Sequence, residues 1–94
     1  MPALLIRHQV RDFAAWRRVF SDEAGTRRAN GARRELHFRS ATNASEVWLL
    51  IEWDDLYRAQ LFVTSDDLRS ALDRGGVIDV PDYWYLEDTD RDLP

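Results

Sequence analysis

The stretch Val47-Trp48-Leu49-Leu50-Ile51-Glu52-Trp53 decides the fold of this chain, because it reads as a β-strand that is apolar on both faces. Side chains alternate along a strand, so the odd-numbered residues point to one face and Trp48 and Leu50 to the other. A sheet with one face in water carries a polar residue at every second position, and here only Glu52 is polar. Both faces therefore need cover, and a chain of 94 residues has helices for only one. We expect a second copy of the protein to cover the other face.

The composition excludes several classes of function. The chain is 45% hydrophobic and 32% charged, which predicts one globular domain over residues 1–87, followed by an acidic, loosely held tail over residues 88–94. It contains no cysteine and no lysine, which excludes thiolate metal sites, a cysteine nucleophile and Schiff-base chemistry. The net charge of −4 argues against nucleic acid as a partner. No apolar run approaches the roughly 20 residues of a membrane span, so we expect no membrane association and a cytoplasmic location.

The charges are unevenly distributed along the chain. Residues 1–40 hold nine arginines against four acidic residues, whereas residues 41–94 hold four arginines against thirteen acidic residues. Two interpretations stay open. Either the arginine-rich half forms an anion-binding site, or an arginine-bearing helix lies beside an aspartate-bearing one with most charges in water.

The hydrophobic pattern predicts the element order βαββαβ. Strands are expected over residues 4–10, 33–40, 47–53 and 77–87, with Pro81 interrupting the last. Asp12 is the expected N-cap of one long helix to about residue 29, which Asn30-Gly31 ends. Asp54 or Asp55 is the expected N-cap of the next helix, and Ser65 that of the helix that Gly75-Gly76 ends. This order is the ferredoxin-like α+β plan, a four-stranded antiparallel sheet with its helices on one face. In that plan the first and third strands are central, and these are the two that are apolar on both faces.

Several motifs together resemble a known family. They are Ile6-Arg7-His8-Gln9-Val10 followed by Asp12-Phe13 and Trp16, then Glu52-Trp53-Asp54-Asp55-Leu56, and then Leu68-Arg69 with Gly76-Val77. With this spacing, nearly the whole chain from Leu4 to Glu87 resembles the antibiotic biosynthesis monooxygenase-like proteins, a bacterial family whose members are also labelled "cyclase". The resemblance implies a homodimeric α/β barrel, in which two sheets face each other across a two-fold axis with the helices outside.

The resemblance also implies a chemistry. In the better-understood members, a hydrophobic pocket between sheet and helices holds a polycyclic aromatic substrate, and molecular oxygen oxidises it without metal or flavin. The carbanion of the substrate supplies the electrons, while the protein supplies a base, an oxyanion donor and a dry cavity. The expected ligand is thus an apolar, aromatic or polyketide-like small molecule, the expected activity that of a monooxygenase, cyclase or isomerase, and no cofactor is expected. The alternative is a binding or structural dimer without chemistry.

Candidate site residues follow from this pocket. His8 is the candidate catalytic acid or base, because an imidazole titrates near pH 6.5 and strand parity places it on the face assigned to the helices. Trp53 and Tyr57 are expected to orient the substrate through their polar hydrogens. The candidate substrate-contacting residues are Trp16, Phe38, Phe62, Tyr83 and Tyr85, although parity does not decide which of Tyr83, Trp84 and Tyr85 faces the pocket. The alternatives are a structural histidine and aromatic side chains that only fill the core.

The opposite face is assigned to the partner subunit. Trp48, Leu50, His37 and Glu52 are the candidate interface residues, and Glu35 and Arg39 share the expected face of His37. No metal site is expected, because His8 and His37 would lie two strands apart, about 9–10 Å at ~4.8 Å per strand, and would face opposite ways.

A cavity separates the two functional interpretations. An enzyme needs an enclosed space of about 300 Å³ or more with His8 at its wall. In a module without chemistry, Trp16, Trp53 and Phe62 would fill that space.

Overall fold

The computed structural model describes residues 1–89. Its elements are β1 (Ala3–Gln9), α1 (Phe13–Asp22), α2 (Ala24–Ala29), β2 (Ala32–Arg39), β3 (Glu46–Trp53), α3 (Leu56–Val63), α4 (Asp66–Arg74) and β4 (Asp82–Leu86). The strands form one antiparallel sheet in the order β2-β3-β1-β4, so β1 and β3 are central. The predicted ferredoxin-like α+β fold is confirmed. Of the predicted acidic tail, residues 90–94 lie outside the described part.

The helices cover one face of the sheet, and burial alternates along both central strands. Every second residue of β1 and β3 is fully buried, while those between them are half-buried. The buried residues of these two strands are Leu4, Ile6, His8, Val47, Leu49, Ile51 and Trp53. Trp16 and Phe20 of α1 pack against them, together with Leu68 and Ala71 of α4. We call this region the sheet–helix layer, and it forms the hydrophobic core.

Two helices replace the single helix predicted to run from Asp12 to residue 29. Asp12 caps α1 as predicted, because its carboxylate accepts hydrogen bonds from the backbone N–H groups of Ala14 and Ala15. The helix ends at Asp22, and Glu23 adopts φ −90° and ψ 0° before α2 begins. The redirected segment brings Arg27 to a buried position, where it donates to the carbonyl oxygen of Phe20. We attribute the interruption to this contact and to the ion pair of Arg27 with Glu35 on β2, which a continuous helical pattern does not reveal.

The remaining turns agree closely with the sequence pattern. Asp55 and Ser65 cap α3 and α4 with side-chain oxygens, and Gly31 ends α2 with a φ of +111°. The last strand is shorter than predicted, since β4 begins only after Pro81 and Val77 makes an isolated bridge to Val10. A proline lacks the N–H that a strand paired on this side would donate, which explains the late start.

The facing of β2 differs from the prediction. The register shifts between Ala32 and Arg34, and beyond this bulge Glu35 pairs with Ile51 and His37 with Leu49. Glu35, His37 and Arg39 therefore lie on the helix side, and the prediction that they face away from the helices is wrong. The physical reason is that alternation along one strand separates two faces without identifying them. On this edge strand the helix side is the polar one.

The sheet face opposite the helices carries an apolar patch that no helix of residues 1–89 covers. We call it the open sheet face, and its apolar residues are Leu5, Leu36, Phe38, Trp48, Leu50, Trp84 and Leu86. Trp48 stacks on Trp84 at a centroid distance of 5.9 Å. At one end Arg7 pairs with Glu46 and with Asp82, closing the patch with a charged border. The central strands are thus apolar on both faces, as predicted.

Candidate functional site

His8 is enclosed in the sheet–helix layer. Its side chain has no exposed surface, and its ring lies 5.7 Å from the ring of Trp16 and 6.0 Å from that of Phe20. Burial lowers its pKa from 6.5 to about 4, while the charge of Asp79 raises it slightly. His8 is therefore neutral at pH 7 and offers one nitrogen donor and one nitrogen acceptor.

Three aromatic rings form a row from the core to the surface. Trp16 meets His8 on one side and His37 on the other, at centroid distances of 5.7 and 5.3 Å, both edge-on. His37 is half-buried. The expectation that His8 and His37 face opposite ways is wrong, because the register of β2 turns His37 toward the helices. We call these three residues the His8 row.

The His8 row holds polar atoms without partners. Among the described residues, neither ring nitrogen of His8 has a hydrogen-bond partner, and neither does Nε1 of Trp16. Leaving a buried donor or acceptor unpaired costs about 1–3 kcal/mol, so such atoms are rare in folded proteins and call for an explanation. A polar group entering the layer at this point would find both donors and an acceptor.

The predicted partners of His8 lie elsewhere. His8 pairs with Val47 at one end of β3, and Trp53 occupies the other end. Six residues at ~3.3 Å each separate these positions by about 20 Å. Trp53 is buried against Phe62 at 5.1 Å, and its Nε1 is also unpaired, whereas Tyr57 is 67% exposed on α3. The structure therefore does not bring His8, Trp53 and Tyr57 into one site.

The remaining aromatic candidates occupy different faces. Phe38 pairs with Trp48 and lies on the open sheet face, so its predicted place between sheet and helices is wrong. Tyr83 and Tyr85 pair with Ile6 and Leu4, which puts both on the helix side of β4. Burial raises the pKa of Tyr83, and Tyr85 is exposed. Trp84 belongs to the open sheet face.

The interface candidates are likewise divided. Trp48, Leu50 and Glu52 lie on the open sheet face, where Glu52 is 3.8 Å from a guanidinium nitrogen of Arg34. His37 lies on the helix side, in the His8 row. Both asparagines are in turns: Asn30 follows α2 and donates from Nδ2 to the carbonyl oxygen of Thr26 in that helix, and Asn43 lies between β2 and β3, where its Oδ1 accepts from the backbone N–H of Ser45.

The structure contains a cleft beside edge strand β2 that was not predicted from the sequence. It has a volume of about 460 Å³, and its polar lining consists of Arg17, Ser21, Arg27, Arg28, Arg33, Glu35 and His37, while Ala24, Ala32 and Leu36 are apolar. We call it the arginine cleft. The only sequence signal for it is the excess of arginine in residues 1–40, because its members come from α1, α2 and β2.

One carboxylate of the arginine cleft is already neutralised. Glu35 receives two hydrogen bonds from Arg27, at 2.6 and 2.9 Å, and its Oε1 lies 3.4 Å from Nε2 of His37. Burial raises the pKa of Glu35, but the hydrogen bonds from His37 and Arg27 outweigh this effect, so its pKa lies below the usual value. Arg27 is 3% exposed, so the pair is a fixed wall of the cleft rather than a mobile surface contact.

The layer behind the cleft is filled by side chains. Trp16 and Phe20 stack at 4.8 Å above His8, and Trp53 packs on Phe62 at the other end. Between α2 and α4, next to Phe20 and Leu68, a cavity of about 20 Å³ remains, enough for about one water molecule. This filling is the arrangement expected of a module without chemistry, and a ligand at His8 would have to displace Trp16.

Residues 1–89 contain no group of three or more His, Cys, Asp and Glu side chains that could hold a metal ion. Across the same residues, no helix has the length and apolar character needed to cross a membrane.

Comparison with known proteins identifies the fold. No protein-family model matches the chain, and no curated protein matches its sequence. A solved structure from Bordetella bronchiseptica, provisionally named an antibiotic biosynthesis monooxygenase, aligns with a TM-score of 0.79 at 14% identity, covering 94% of this chain and 96% of that one. SnoaB, a cofactor-independent oxygenase from Streptomyces nogalater, aligns with a TM-score of 0.77 at 12% identity, covering 96% and 94%. A protein from Caulobacter crescentus, with the same provisional name as the first, gives 0.75 at 19% identity over 95% and 90%.

The resemblance to the antibiotic biosynthesis monooxygenase-like proteins is thus confirmed for the fold. At identities below one fifth, the likeness describes the architecture and leaves the reaction open.

Proposed function

We propose that this protein is a cytoplasmic homodimer that binds a hydroxylated aromatic, polyketide-like molecule in the sheet–helix layer at His8. The observation that carries the proposal is the pair of unpaired ring nitrogens on buried His8. A phenol or enol of the ligand would donate to the imidazole and accept from an N–H, removing the cost of leaving them unpaired. The likeness in fold to a cofactor-independent oxygenase supports the same ligand class.

The proposed reaction is an oxidation by molecular oxygen without a bound cofactor. For an anthrone, the methylene carbon loses a proton to His8, its carbanion passes electrons to O2, one oxygen atom becomes the new carbonyl, and the other leaves as water. A histidine with a pKa of about 4 is a weak base in the closed layer. The negative charge of a bound enolate beside the ring favours the imidazolium and raises that pKa, which makes the proton transfer feasible.

The route to His8 passes Trp16 and His37. His37 lies at the arginine cleft and Trp16 lies directly behind it. In this proposal the indole of Trp16 swings aside when the ligand enters, and the aromatic body of the ligand replaces it against Phe20. Trp53 and Tyr57 have no part in the proposal, since they belong to the other end of β3.

A second candidate is a dimeric binding or structural module without chemistry. It is favoured by the filling of the layer, in which Trp16, Trp53 and Phe62 occupy the space that a substrate would take.

The test uses 1,8-dihydroxyanthrone as the probe. Oxygen uptake and anthraquinone formation are measured with the wild-type protein, with H8A, and with Q9A, a control on the opposite face of β1. The proposal expects wild type and Q9A to exceed the spontaneous rate and H8A to lose at least about 10²-fold of the gain. Saturable binding of the anthrone in calorimetry without faster oxidation supports the module instead. Absence of both binding and turnover at about 100 µM probe contradicts an aromatic ligand altogether.

A further inference from the structure

The arginine cleft contains positive charge that the described residues leave uncompensated. Arg27 is matched by Glu35, and Arg33 is matched by Asp54. The guanidinium groups of Arg17 and Arg28 make no hydrogen bond or ion pair with any residue in the described part of the chain. Both are exposed, so each can reach into the cleft. Two unmatched cations therefore flank a concave site.

We infer that the arginine cleft binds the carboxylate of a small organic acid with an apolar body. A guanidinium presents a planar fork of N–H donors that matches a carboxylate, and charge-assisted bonds of this kind are roughly twice as strong as neutral ones. Arg27 already holds the carboxylate of Glu35 in this two-point manner, with one bond from Nε and one from Nη2. An incoming carboxylate would take the corresponding position between Arg17 and Arg28.

The shape of the cleft favours an organic acid over a bare inorganic anion. Its volume of about 460 Å³ lies in the range of small-molecule sites, whereas a phosphate ion needs only a fraction of it. Ala24 and Ala32 provide an apolar lining, and the ring of His37 adds an aromatic edge. The body of the ligand would pack on these groups while its head meets the arginines.

Filling of the cleft would not require the layer behind it to open. The fixed wall formed by Arg27 and Glu35 separates the cleft from the core. The contacts of this site with Arg17 and Arg28 are therefore separate from those proposed at His8, although both sites border His37, and either proposal can fail without the other.

The test measures binding of 1-naphthoate by calorimetry and by backbone amide NMR shifts. The variant R17Q/R28Q is compared with R18Q/R69Q, which removes the same number of charges from exposed helix positions that do not line the cleft. Loss of two charge-assisted bonds should raise the Kd for R17Q/R28Q at least about tenfold, while R18Q/R69Q and H8A stay near wild type. The shifted amides should belong to α1, α2 and β2. Thermal unfolding confirms that the variants are folded.

Three results would overturn the inference. The first is no binding of 1-naphthoate at about 10 mM, or equal weakening in both double variants, which would indicate only the overall charge. The second is equal affinity for uncharged 1-naphthalenemethanol, which would remove the role of the carboxylate. The third is equally tight binding of inorganic phosphate at the same amides, which would remove the role of the apolar body.

Discussion

His8 shows how burial changes what a titratable ring can do. The ring has no contact with water and, within residues 1–89, no hydrogen-bond partner, so the charged form is strongly disfavoured. Its pKa of about 4 lies below the 6.5 of an unfolded chain, and the difference corresponds to about 3 kcal/mol. Between these two pH values the unfolded chain binds a proton that the folded chain excludes, so acidification favours unfolding.

The stability of the protein should therefore fall on mild acidification. The contribution of His8 is fully present above pH 6.5 and is lost as the pH falls toward 4, with about 2 kcal/mol lost between about pH 7.5 and 5.0. Replacing His8 by phenylalanine removes the titrating group at similar volume. Between about pH 7.5 and 5.0, the free energy of unfolding of H8F, measured in urea, should therefore fall by about 2 kcal/mol less than that of the wild type. The control H37F should keep the decrease due to His8, and an identical pH dependence of wild type and H8F would contradict the interpretation.

Strand parity predicted the burial of His8 but not its neighbours. His8 shares a face with Leu4 and Ile6 in both the pattern and the structure. The contact of Trp16 with His37, which completes the row, depends on the register of β2, and this register shifts at a bulge near Arg33. A bulge adds one residue to a strand and leaves no distinct mark in the pattern of polar and apolar residues. The core position was therefore predictable, whereas the row of three rings was not.

The turn between α2 and β2 depends on one glycine. Gly31 adopts a φ of +111°, a conformation that favours glycine, and a Cβ at this position would lie 2.5 Å from Cδ of Arg58. By contrast, Gly25 lies inside α2, and a Cβ there meets nothing within 4 Å. A side chain added at Gly31 is therefore expected to strain the turn after α2, whereas one added at Gly25 has space within the helix.

Alanine substitutions at these glycines should have opposite signs. G31A should lower the free energy of unfolding by about 1–3 kcal/mol through backbone strain and the contact with Arg58. G25A should raise it by about 0.5–1 kcal/mol, because alanine favours the helix more than glycine does. Chemical denaturation of both variants at one pH measures the difference. Destabilisation of the two variants by the same amount would show that any side chain in this segment is disruptive.

The helices illustrate where local pattern gives way to tertiary contacts. The caps at Asp12, Asp55 and Ser65 follow from short-range chemistry; Asp12 and Ser65 were predicted, and Asp55 was one of two predicted candidates. The interruption of the helix at Glu23 allows Arg27 to reach Glu35, which belongs to β2. The same dependence hides the arginine cleft, which requires α1, α2 and β2 to be assembled before its charges meet. Element types and order were thus predictable, while contacts between elements were not.

The molecule as a whole has two apolar sheet faces and helices for one. On the open sheet face, Phe38 is 53% exposed and Trp84 is 41% exposed, while Trp48 and Leu50 are half-buried by neighbouring side chains. A continuous apolar patch with a charged border, here the pair of Arg7 with Glu46 at one end, is typical of a protein–protein interface. A second copy offers an identical patch, so pairing about a two-fold axis would bury both at once.

Self-association should therefore fail when a charge is placed at the centre of this face. Leu50 pairs with Leu5 and with Leu36 on the neighbouring strands, so L50E would bury a carboxylate among apolar side chains of both copies. Light scattering after gel filtration should give wild type twice the chain mass of 11.0 kDa and L50E the single mass. The control is L61E, since Leu61 is 50% exposed on α3, on the helix side of the sheet. A monomeric wild type at micromolar concentration, or a dimer that L61E disrupts and L50E leaves intact, would show that the open sheet face has another partner.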